Sequence, residues 1–311
     1  MKFFAILSNF WYTVISCGAC LYRTVPPGAK DMRTIHTDTI EHTLYQLCGR
    51  ACLHLTDACT RAMQKAALAE AEGSAARFAL DTLLSNAQTA AAENMAVCQD
   101  TGYAVVLAEI GQDVHIEGKP LAEAVDSAVA KAYADFRFRK SVCDPITRAN
   151  TANNTPAALH TEIVPGDQVR LTFLPKGFGS ENMSRLYMLT PAKGVAGIID
   201  AIVETVRLAG SKPCPPVICG VGIGGTFDTC AFLAKKALTR ELGTHHPRED
   251  VAAIEREALE RINALGIGAQ GFGGNVTALG VQCEILPTHI AGLPVAVNIQ
   301  CHCMRCEKAE I

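Results

Sequence analysis

Glycine-rich and polar segments recur along this chain, and their residue types suit the binding of a small anion. Clustered glycines let backbone N–H groups converge on an anion, and a dicarboxylate fits such a concavity as well as a phosphate does. One such segment alone most often forms only a turn, but several in one chain predict a built binding site. The segments are 97–102, 150–156, 175–182, 212–216, 266–274 and 289–303.

Fourteen cysteines are many for a chain of 311 residues, yet their spacing does not resemble a disulfide framework. Several lie in apolar runs, where a free cysteine behaves as a small hydrophobic residue. Cys301, Cys303 and Cys306 could bind a metal, but no second close pair accompanies them as a structural zinc site would require. A chain of this length does not need disulfides, so we predict a reducing, cytoplasmic compartment in which some thiolates can serve a metal.

The N-terminal residues 1–31 differ in character from the rest of the chain. They resemble a short signal-like segment, or an extension created by a start site assigned too early, and soluble sequence begins at Met32. Their apolar stretch is interrupted by Ser8 and Asn9. It is also short beside the roughly 20 residues of a bilayer-spanning helix. We therefore predict an atypical extension at 1–31, one domain at 32–311 and no membrane association.

The charge balance argues against a nucleic acid as partner. The formal net charge is −3 at pH 7, and basic residues are concentrated only in the short stretch 137–140. Nucleic-acid binding needs a concentrated basic surface, which this sequence lacks. The hydrophobic fraction of 49% instead supports a sizeable core, and the aromatic fraction of 6% makes that core aliphatic.

Hydrophobic periodicity predicts a helical start followed by strands and helices in alternation. Apolar residues at three- and four-residue steps predict helices at about 36–95, 121–136, 190–210, 226–242 and 249–265. Thr190 is predicted to cap the helix at 190–210, with Pro191 in its first position. Alternating or short apolar runs predict strands near 103–109, 114–117, 169–173, 217–221, 279–286 and 295–301. The predicted fold class is α/β (α+β), a helical N-terminal layer followed by mixed sheets with interleaved helices.

One glycine pattern suggests a dinucleotide site. The stretch 220–225 satisfies G-x-G-x-x-G after a predicted strand and before a predicted helix. A dinucleotide-binding fingerprint also needs a second parallel strand, with an acidic residue about 20 positions further on. Here another predicted helix follows at 249–265, so a dinucleotide-binding oxidoreductase is the least favoured interpretation.

Four groups of short motifs occur in a fixed order along the chain. They are Cys98-Gln99-Asp100-Thr101-Gly102, Asn153-Asn154-Thr155-Pro156-Ala157, Cys214-Pro215-Pro216 followed by Gly224-Gly225-Thr226, and Pro287-Thr288-His289 with Pro294–Cys301. As a set they resemble class I fumarase. More narrowly, they resemble the alpha subunit of the two-subunit fumarate hydratases and of the related L(+)-tartrate dehydratases. The resemblance extends from Met32 to the C-terminus.

The resemblance implies a [4Fe–4S] cluster bound by three cysteines, which match Cys98, Cys214 and Cys301. Cys303 and Cys306 are rivals to Cys301, whose distance from the preceding histidine matches the family. Three thiolates leave one iron open, and an open iron is a Lewis acid that binds a carboxylate and the hydroxyl group of the substrate. An exposed iron also implies sensitivity to oxygen.

The resemblance also implies residues that bind a small dicarboxylate substrate. Arg139, with Arg137 as the alternative, would bind a carboxylate through paired N–H donors. Gln99 would donate an amide hydrogen bond to the same ligand. Gly179 is the expected contact within the glycine-rich segment that follows Lys176.

Asp100 and His289 are the predicted catalytic residues. The Asp100 carboxylate would raise the pKa of His289 and select its tautomer, and His289 would donate a proton to the leaving hydroxyl. The structural alternatives are that Asp100 only caps a turn and that His289 is an ordinary polar residue at the start of a strand.

The function implied by the resemblance is that of a hydro-lyase alpha subunit that converts fumarate reversibly into (S)-malate, a reaction of the tricarboxylic acid cycle. Dehydration of L(+)-tartrate is the alternative, because one hydroxyl group separates the substrates. Single-chain members have a second domain that nothing here matches, so we expect a separate beta subunit and an α2β2 complex. A non-catalytic iron–sulfur or zinc redox sensor is the alternative of another class.

Overall fold

The structure of the protein is a computed structural model that describes residues 32–311. This part of the chain forms a single unit by its internal contacts. The extension predicted at residues 1–31 lies outside the described residues, so a boundary at Met32 stays a prediction.

Eight α-helices and ten β-strands make up residues 32–311. The helices are α1 (Thr37–Leu53), α2 (Asp57–Ala69), α3 (Ala75–Ala92), α4 (Leu121–Asp135), α5 (Phe178–Glu181), α6 (Gly194–Ala209), α7 (Phe227–Ala237) and α8 (Glu249–Asn263). The strands are β1 (Arg33–His36), β2 (Tyr103–Gly111), β3 (Val114–Glu117), β4 (Ala158–Val164), β5 (Val169–Lys176), β6 (Arg185–Leu189), β7 (Val217–Gly224), β8 (Ala278–Leu286), β9 (Leu293–Gln300) and β10 (Glu307–Glu310). None of these helices is both long enough and apolar enough to cross a membrane.

The first large sheet has four strands in the order β10-β5-β2-β4. Strand β2 runs parallel to β4 and antiparallel to β5, which in turn runs antiparallel to β10. Ile40, Leu44 and Leu47 form a buried stripe on α1, because residues three or four positions apart share one face of a helix. This stripe, together with α4, shares a core with Leu171 and Phe173 of β5.

The second large sheet has the order β6-β9-β7-β8, and every residue of its central strand β7 is buried. Strand β7 runs parallel to β8 and antiparallel to β9. Helices α6 and α8 share one core with this sheet, which contains Ile198, Ile202 and Ile262. Helix α7 packs on the other face of β7, next to Gly220 and Gly222. Cover on both faces explains why β7 is a continuous apolar run rather than an alternating one.

The predicted fold class is confirmed, since a helical layer precedes mixed sheets with interleaved helices. One predicted helix start is wrong. Pro191–Lys193 form a separate 3-10 turn, Thr190 makes no side-chain capping bond, and α6 begins at Gly194, which has a φ of +53°. Strands β1, β4, β6 and β10 had no sequence prediction. Strand β1 has only four residues, and the residues of the other three are at most half-buried and show little hydrophobic alternation.

Gly220 and Gly222 explain the glycine pattern that resembled a dinucleotide fingerprint. Both lie inside β7, not in a loop. A Cβ atom at Gly222 would stand 2.1 Å from the carbonyl oxygen of Cys230, and one at Gly220 would stand 2.2 Å from that of Ala234. These glycines therefore allow α7 to pack closely on the strand, a recognised use of glycine in strands.

We expect Gly222→Ala to lower the free energy of unfolding by about 3 kcal/mol, because the backbone of α7 must move to admit the methyl group. Gly280→Ala in the neighbouring strand β8 is the matched control. Its new Cβ meets Leu242 Cδ1 at 2.6 Å, and the end of a leucine side chain can rotate away. We expect a loss of about 1 kcal/mol there. Urea unfolding measures both variants, and equal losses would contradict the packing explanation.

Candidate active site

Three of the polar segments meet at one edge of the first sheet. Segment 98–102 precedes β2, segment 150–157 precedes β4, and segment 177–182 follows β5. Tyr103 at the start of β2 pairs with Lys176 at the end of β5, while β4 starts at the same end of β2 because the two run parallel. The strand directions therefore assemble this part of the site.

The second sheet brings together three further segments in the same way. Segment 212–216 precedes β7, segment 264–277 precedes β8, and segment 301–306 follows β9. Ile218 near the start of β7 pairs with Gln300 at the end of β9, and β8 runs parallel to β7. All three segments consequently lie at one edge of this sheet.

Residues 301–306 form a crossover from the second sheet to the first, because they connect β9 to β10. Arg305 Nη1 donates a hydrogen bond of 2.8 Å to the carbonyl oxygen of Asp100. Cys59 Sγ lies 3.1 Å from the carbonyl oxygen of His302 and donates to it. The crossover thus joins the two edges at which the polar segments meet.

The structure brings the three predicted cluster ligands together at this junction. Cys98 and Cys301 pack against one small apolar cluster that contains Val97 and Cys303. The Cys98 thiol also lies near enough to Cys214 and Cys301 to interact with both electrostatically. Cys214 is exposed and the other two are half-buried, so the group borders solvent on the Cys214 side.

The protonation of these thiols follows from their surroundings. Burial raises the pKa of Cys301, and the positive charges of Arg305 and Lys176 oppose that effect. Burial also raises the pKa of Cys214, and the neighbouring Cys98 adds to it. Both thiols are therefore protonated at neutral pH, and binding a metal here would release protons.

Cys214 is held in a strained conformation. Its φ of +54° is left-handed, which costs a non-glycine residue on the order of 1–3 kcal/mol and is typical of functional sites. The backbone N–H of His302 donates to the Cys214 carbonyl oxygen at 3.4 Å, and His302 Nδ1 lies 3.0 Å from the same oxygen. Gln270 donates to the carbonyl oxygen of Pro215 from its backbone N at 2.8 Å and from its side-chain Nε2 at 2.9 Å. These bonds hold the backbone of Cys214 and Pro215 in place.

The donor set fits a cluster better than a single ion. In residues 32–311 no group of three or more His, Cys, Asp or Glu side chains is arranged to hold one metal ion. A four-iron cluster makes a different demand, because each thiolate binds its own iron and the ligands surround the cluster. Arg305 also fits an anionic group: its side chain is buried, with Nε and Nη2 lacking hydrogen-bond partners. Three thiols beside a buried cation are therefore compatible with an iron–sulfur cluster.

A cavity of about 540 Å³ adjoins the Cys98 segment. Its lining includes Asp100, Phe178, Arg139 and Arg148, and both arginines are exposed. The alternative Arg137 does not line it. Two guanidinium groups at one cavity suit the two carboxylates of a dicarboxylic acid. No motif in the sequence pointed to Arg148, which reaches the cavity only through the fold of its loop.

Asn154 is a buried residue that links the Arg139 segment to the first sheet. Its Oδ1 accepts hydrogen bonds from the backbone N of Ser141 at 2.7 Å and of Val142 at 3.3 Å. Its Nδ2 donates to the carbonyl oxygen of Gly102 at 3.2 Å. The sequence marked its segment as polar but assigned this side chain no role, because its partners lie in other segments.

Lys176 is a third residue that sequence reasoning missed. It is 1% exposed, and its Nζ donates to Ser180 Oγ at 2.8 Å and pairs with Glu181 Oε2 at 3.2 Å. Glu181 also pairs with Lys235 and accepts from Asn298 Nδ2 at 2.7 Å. Burial lowers the pKa of Lys176 to about 8 despite the opposing charge of Glu181. This network supports the glycine-rich segment that follows β5. In the sequence, the only sign of it is a lysine at the end of an apolar strand.

Asp100 and Gly179 occupy neighbouring segments at this edge. Asp100 Oδ2 accepts from the backbone N of Phe178 at 3.0 Å, which ties the segment before β2 to α5. Gln99 is exposed beside it. A Cβ atom at Gly179 would lie 4.0 Å from the carbonyl oxygen of Lys212, so packing alone does not require glycine there.

His289 lies away from the other predicted site residues. It occupies the exposed turn between β8 and β9, where its Nδ1 accepts from the backbone N of Ala291 at 3.2 Å. Cys301 follows the opposite end of β9, whose eight residues span roughly 23 Å at about 3.3 Å per residue. The predicted pair of Asp100 and His289 therefore does not form within one chain, and Asp100 instead accepts two backbone hydrogen bonds.

Comparison with known proteins relates this architecture to one family. The model of the fumarate hydratase (Fumerase) family matches residues 41–310. A relative from Methanocaldococcus jannaschii, named "Putative L(+)-tartrate dehydratase subunit alpha", is 37% identical over 270 residues, which cover 84% of this chain and 94% of that protein. "L(+)-tartrate dehydratase subunit alpha" from Escherichia coli strain UTI89 is 32% identical over 224 residues, covering 71% of this chain and 74% of that protein. The protein of the same name from Escherichia coli strain K12 is 31% identical over 224 residues, which cover 71% of this chain and 74% of that protein.

We expect Asn154→Ala to lower the free energy of unfolding by about 2–3 kcal/mol, because it leaves buried backbone groups without partners. The Arg139 segment should loosen as well, which weakens binding at the cavity. Asn153→Ala is the matched control, since that exposed side chain accepts only from the backbone N of Thr155, at 3.1 Å. There we expect a change within about 0.5 kcal/mol. Urea unfolding measures both, and similar losses would show that Asn154 does not link the segments.

Proposed function

The chain belongs to the fumarate hydratase (Fumerase) family, and we propose that it is the alpha subunit of a [4Fe–4S]-dependent hydro-lyase that interconverts fumarate and (S)-malate. The family and the names of the relatives support a hydro-lyase alpha subunit. The observation that carries the finer proposal is the convergence of three thiols beside a cavity that two arginines line.

Cys98, Cys214 and Cys301 are the proposed cluster ligands. The bound cluster would supply a Lewis-acidic iron for the hydroxyl and one carboxylate of the substrate. Cys303 is a poorer candidate than Cys301, because it is 2% exposed and burial raises its pKa well above the usual value. Cys306 is disfavoured as well, since burial raises its pKa to about 12.

The arginines and the exposed segments would bind the dicarboxylate. Arg139 and Arg148 both line the cavity. Each can form paired hydrogen bonds with a carboxylate, so the two together suit a substrate with two such groups. Gln99 would add an amide hydrogen bond, and the backbone of Gly179 would contact the substrate from α5. A four-carbon acid fills only a fraction of the cavity, which leaves space for groups from another subunit.

A beta subunit is the proposed source of those groups, since the relatives are named as alpha subunits. We further propose an α2β2 complex, because this arrangement gives His289 a role. His289 cannot reach the thiols of its own chain, but a second alpha chain could present it to the site as a proton donor. Asp100 would then position the segments around the substrate and contact the imidazole only across the subunit interface.

L(+)-tartrate is the second candidate substrate, and the names of the relatives favour it. Tartrate carries one hydroxyl group more than malate and needs one further hydrogen-bond partner. Ser141 lines the cavity and offers a hydroxyl group for that purpose.

We place the enzyme in the reducing cytoplasm, because every cysteine in residues 32–311 is free.

The test is to purify the chain with its beta partner in the absence of oxygen and to measure iron, sulfide and activity. We expect an iron-containing complex that hydrates fumarate and loses activity in air. Formation of oxaloacetate from L(+)-tartrate without fumarate hydration would select the second candidate. Iron or zinc without either activity would indicate a redox sensor, and a complex without metal would overturn the proposal.

Cys301→Ala and Cys303→Ala are a matched pair that tests the ligand assignment. We expect Cys301→Ala to remove most of the iron and to lower activity by about 10²-fold or more, since an open iron supplies several kcal/mol of transition-state stabilisation. Cys303→Ala should keep the iron and most of the activity. Iron analysis and the fumarate assay decide, and the reverse pattern would make Cys303 the ligand.

His289→Asn should lower turnover by about 10²–10⁴-fold if this side chain transfers a proton. Its placement gives a sharper expectation. Mixing His289→Asn chains with Cys301→Ala chains, each inactive alone, should restore activity, because the hybrid contains one site with intact thiols and an intact histidine from the second chain. Mixtures that stay inactive would contradict delivery from a second chain, and normal turnover in His289→Asn alone would remove it from the mechanism.

A further inference from the structure

Arg305 is the largest fully buried side chain in residues 32–311, with 1% of its surface exposed. It lies in the crossover between the two sheets, and Nη1 donates to the carbonyl oxygen of Asp100 at 2.8 Å. Its Nε and Nη2 atoms are buried and have no hydrogen-bond partner. A guanidinium group that uses one of its three nitrogen atoms is unusual at this depth, because buried donors are almost always satisfied.

Other buried cations of the described chain have acidic partners. Lys176 pairs with Glu181, and Arg240 pairs with both Glu255 and Glu284. Within residues 32–311, Arg305 forms no ion pair with a carboxylate. Its strongest electrostatic neighbours are instead four cysteines, Cys52, Cys98, Cys301 and Cys303. The carboxylate of Asp100 is also near, but it accepts from the backbone N of Gly102 and of Phe178 rather than from Arg305.

The four cysteines supply no carboxylate to Arg305, and the Cys52 thiol donates to the carbonyl oxygen of Thr101 at 3.8 Å. A thiol is only a weak hydrogen-bond acceptor, so the cysteines leave Nε and Nη2 of Arg305 without partners. An unpaired buried guanidinium is strongly unfavourable, whereas an apolar side chain of similar volume in its place is often neutral or stabilising. The bond to Asp100 accounts for Nη1 alone, so the unpaired Nε and Nη2 atoms call for an anionic group in the space beside the cysteines.

We propose that Arg305 is a positioning residue whose guanidinium supplies the counter-charge for a thiolate-bound iron–sulfur cluster, with Nε and Nη2 donating hydrogen bonds to its sulfur atoms. This inference rests on the proposed function. A cluster bound by three thiolates carries a net negative charge. The inference adds that a residue other than the three ligands must balance this charge. Arg305 follows Cys301 in the chain and its Nη1 bonds to Asp100, which follows Cys98. The guanidinium group that would attract the cluster therefore also connects the Cys98 and Cys301 segments.

The proposal predicts opposite effects of one substitution on the two states of the protein. Arg305→Met removes an unpaired charge from the cluster-free chain, so its Tm should rise or stay unchanged. The same substitution removes the counter-charge from the loaded chain, so a chelator should extract iron at least tenfold faster than from the wild type. Arg305→Lys keeps the charge with fewer donors and should lie between the two.

Arg240→Met is the matched control in the second core. Arg240 is also largely buried, and its Nε lacks a hydrogen-bond partner, but its charge is already balanced by Glu255 and Glu284. Its substitution should lower the Tm of the cluster-free and the loaded forms alike, and it should leave the rate of iron extraction unchanged.

The experiment uses the complex with the beta partner, purified without oxygen and compared before and after removal of iron. An Arg305→Met chain that fails to fold or loses Tm without the cluster would overturn the inference, because Arg305 would then serve the fold alone. Wild-type rates of iron extraction in Arg305→Met would also overturn it. A wild-type complex that binds no cluster would instead overturn the proposed function, and the inference with it.

Discussion

The directions of the strands in the two sheets decide which loops can meet, and the site depends on that constraint. In the first sheet β2 and β4 run one way and β5 the other, and in the second sheet β7 and β8 run one way and β9 the other. Every polar segment that starts or ends at the shared edges is thereby brought to the junction. A shift of one residue in β7 would turn Gly220 and Gly222 away from α7 and put larger side chains in their place, so packing also fixes the position of these segments.

Buried polar groups occupy the junction, and most of them are satisfied within the chain. Asn154 uses its amide on three backbone groups, and Lys176 is paired with Glu181. Such networks make the segments rigid, because an unpaired polar group in the same place would be costly. Arg305 and Gln300 are exceptions, because two nitrogen atoms of Arg305 and the Oε1 atom of Gln300 have no hydrogen-bond partner. The junction is thus built around a positive charge that calls for an anionic ligand.

In the proposed reaction, the active site is built from more than one chain, as family membership and the geometry of this chain both suggest. In that proposal the alpha chain would contribute the thiols, the arginine-lined cavity and the supporting networks. His289 lies at the far end of β9, so in the proposed reaction it would come from a second alpha chain, and the beta subunit would occupy part of the open cavity. An active site shared in this way makes activity depend on assembly, which agrees with relatives that are named as subunits.

Local pattern in the sequence determined the main helices, the central strands and the fold class, because hydrophobic periodicity depends on residues that are near in the chain. The order of short motifs pointed to the family and to Cys98, Cys214 and Cys301 without showing how they meet. Tertiary structure decided what depends on distant partners: the edge strands, the roles of Asn154 and Arg305, and the placement of His289. A twelve-residue spacing between histidine and cysteine looks short in the sequence, but an extended strand between them turns it into a long distance. Register and strand direction therefore decide which of the predicted residues share one site, and no spacing in the sequence contains that information.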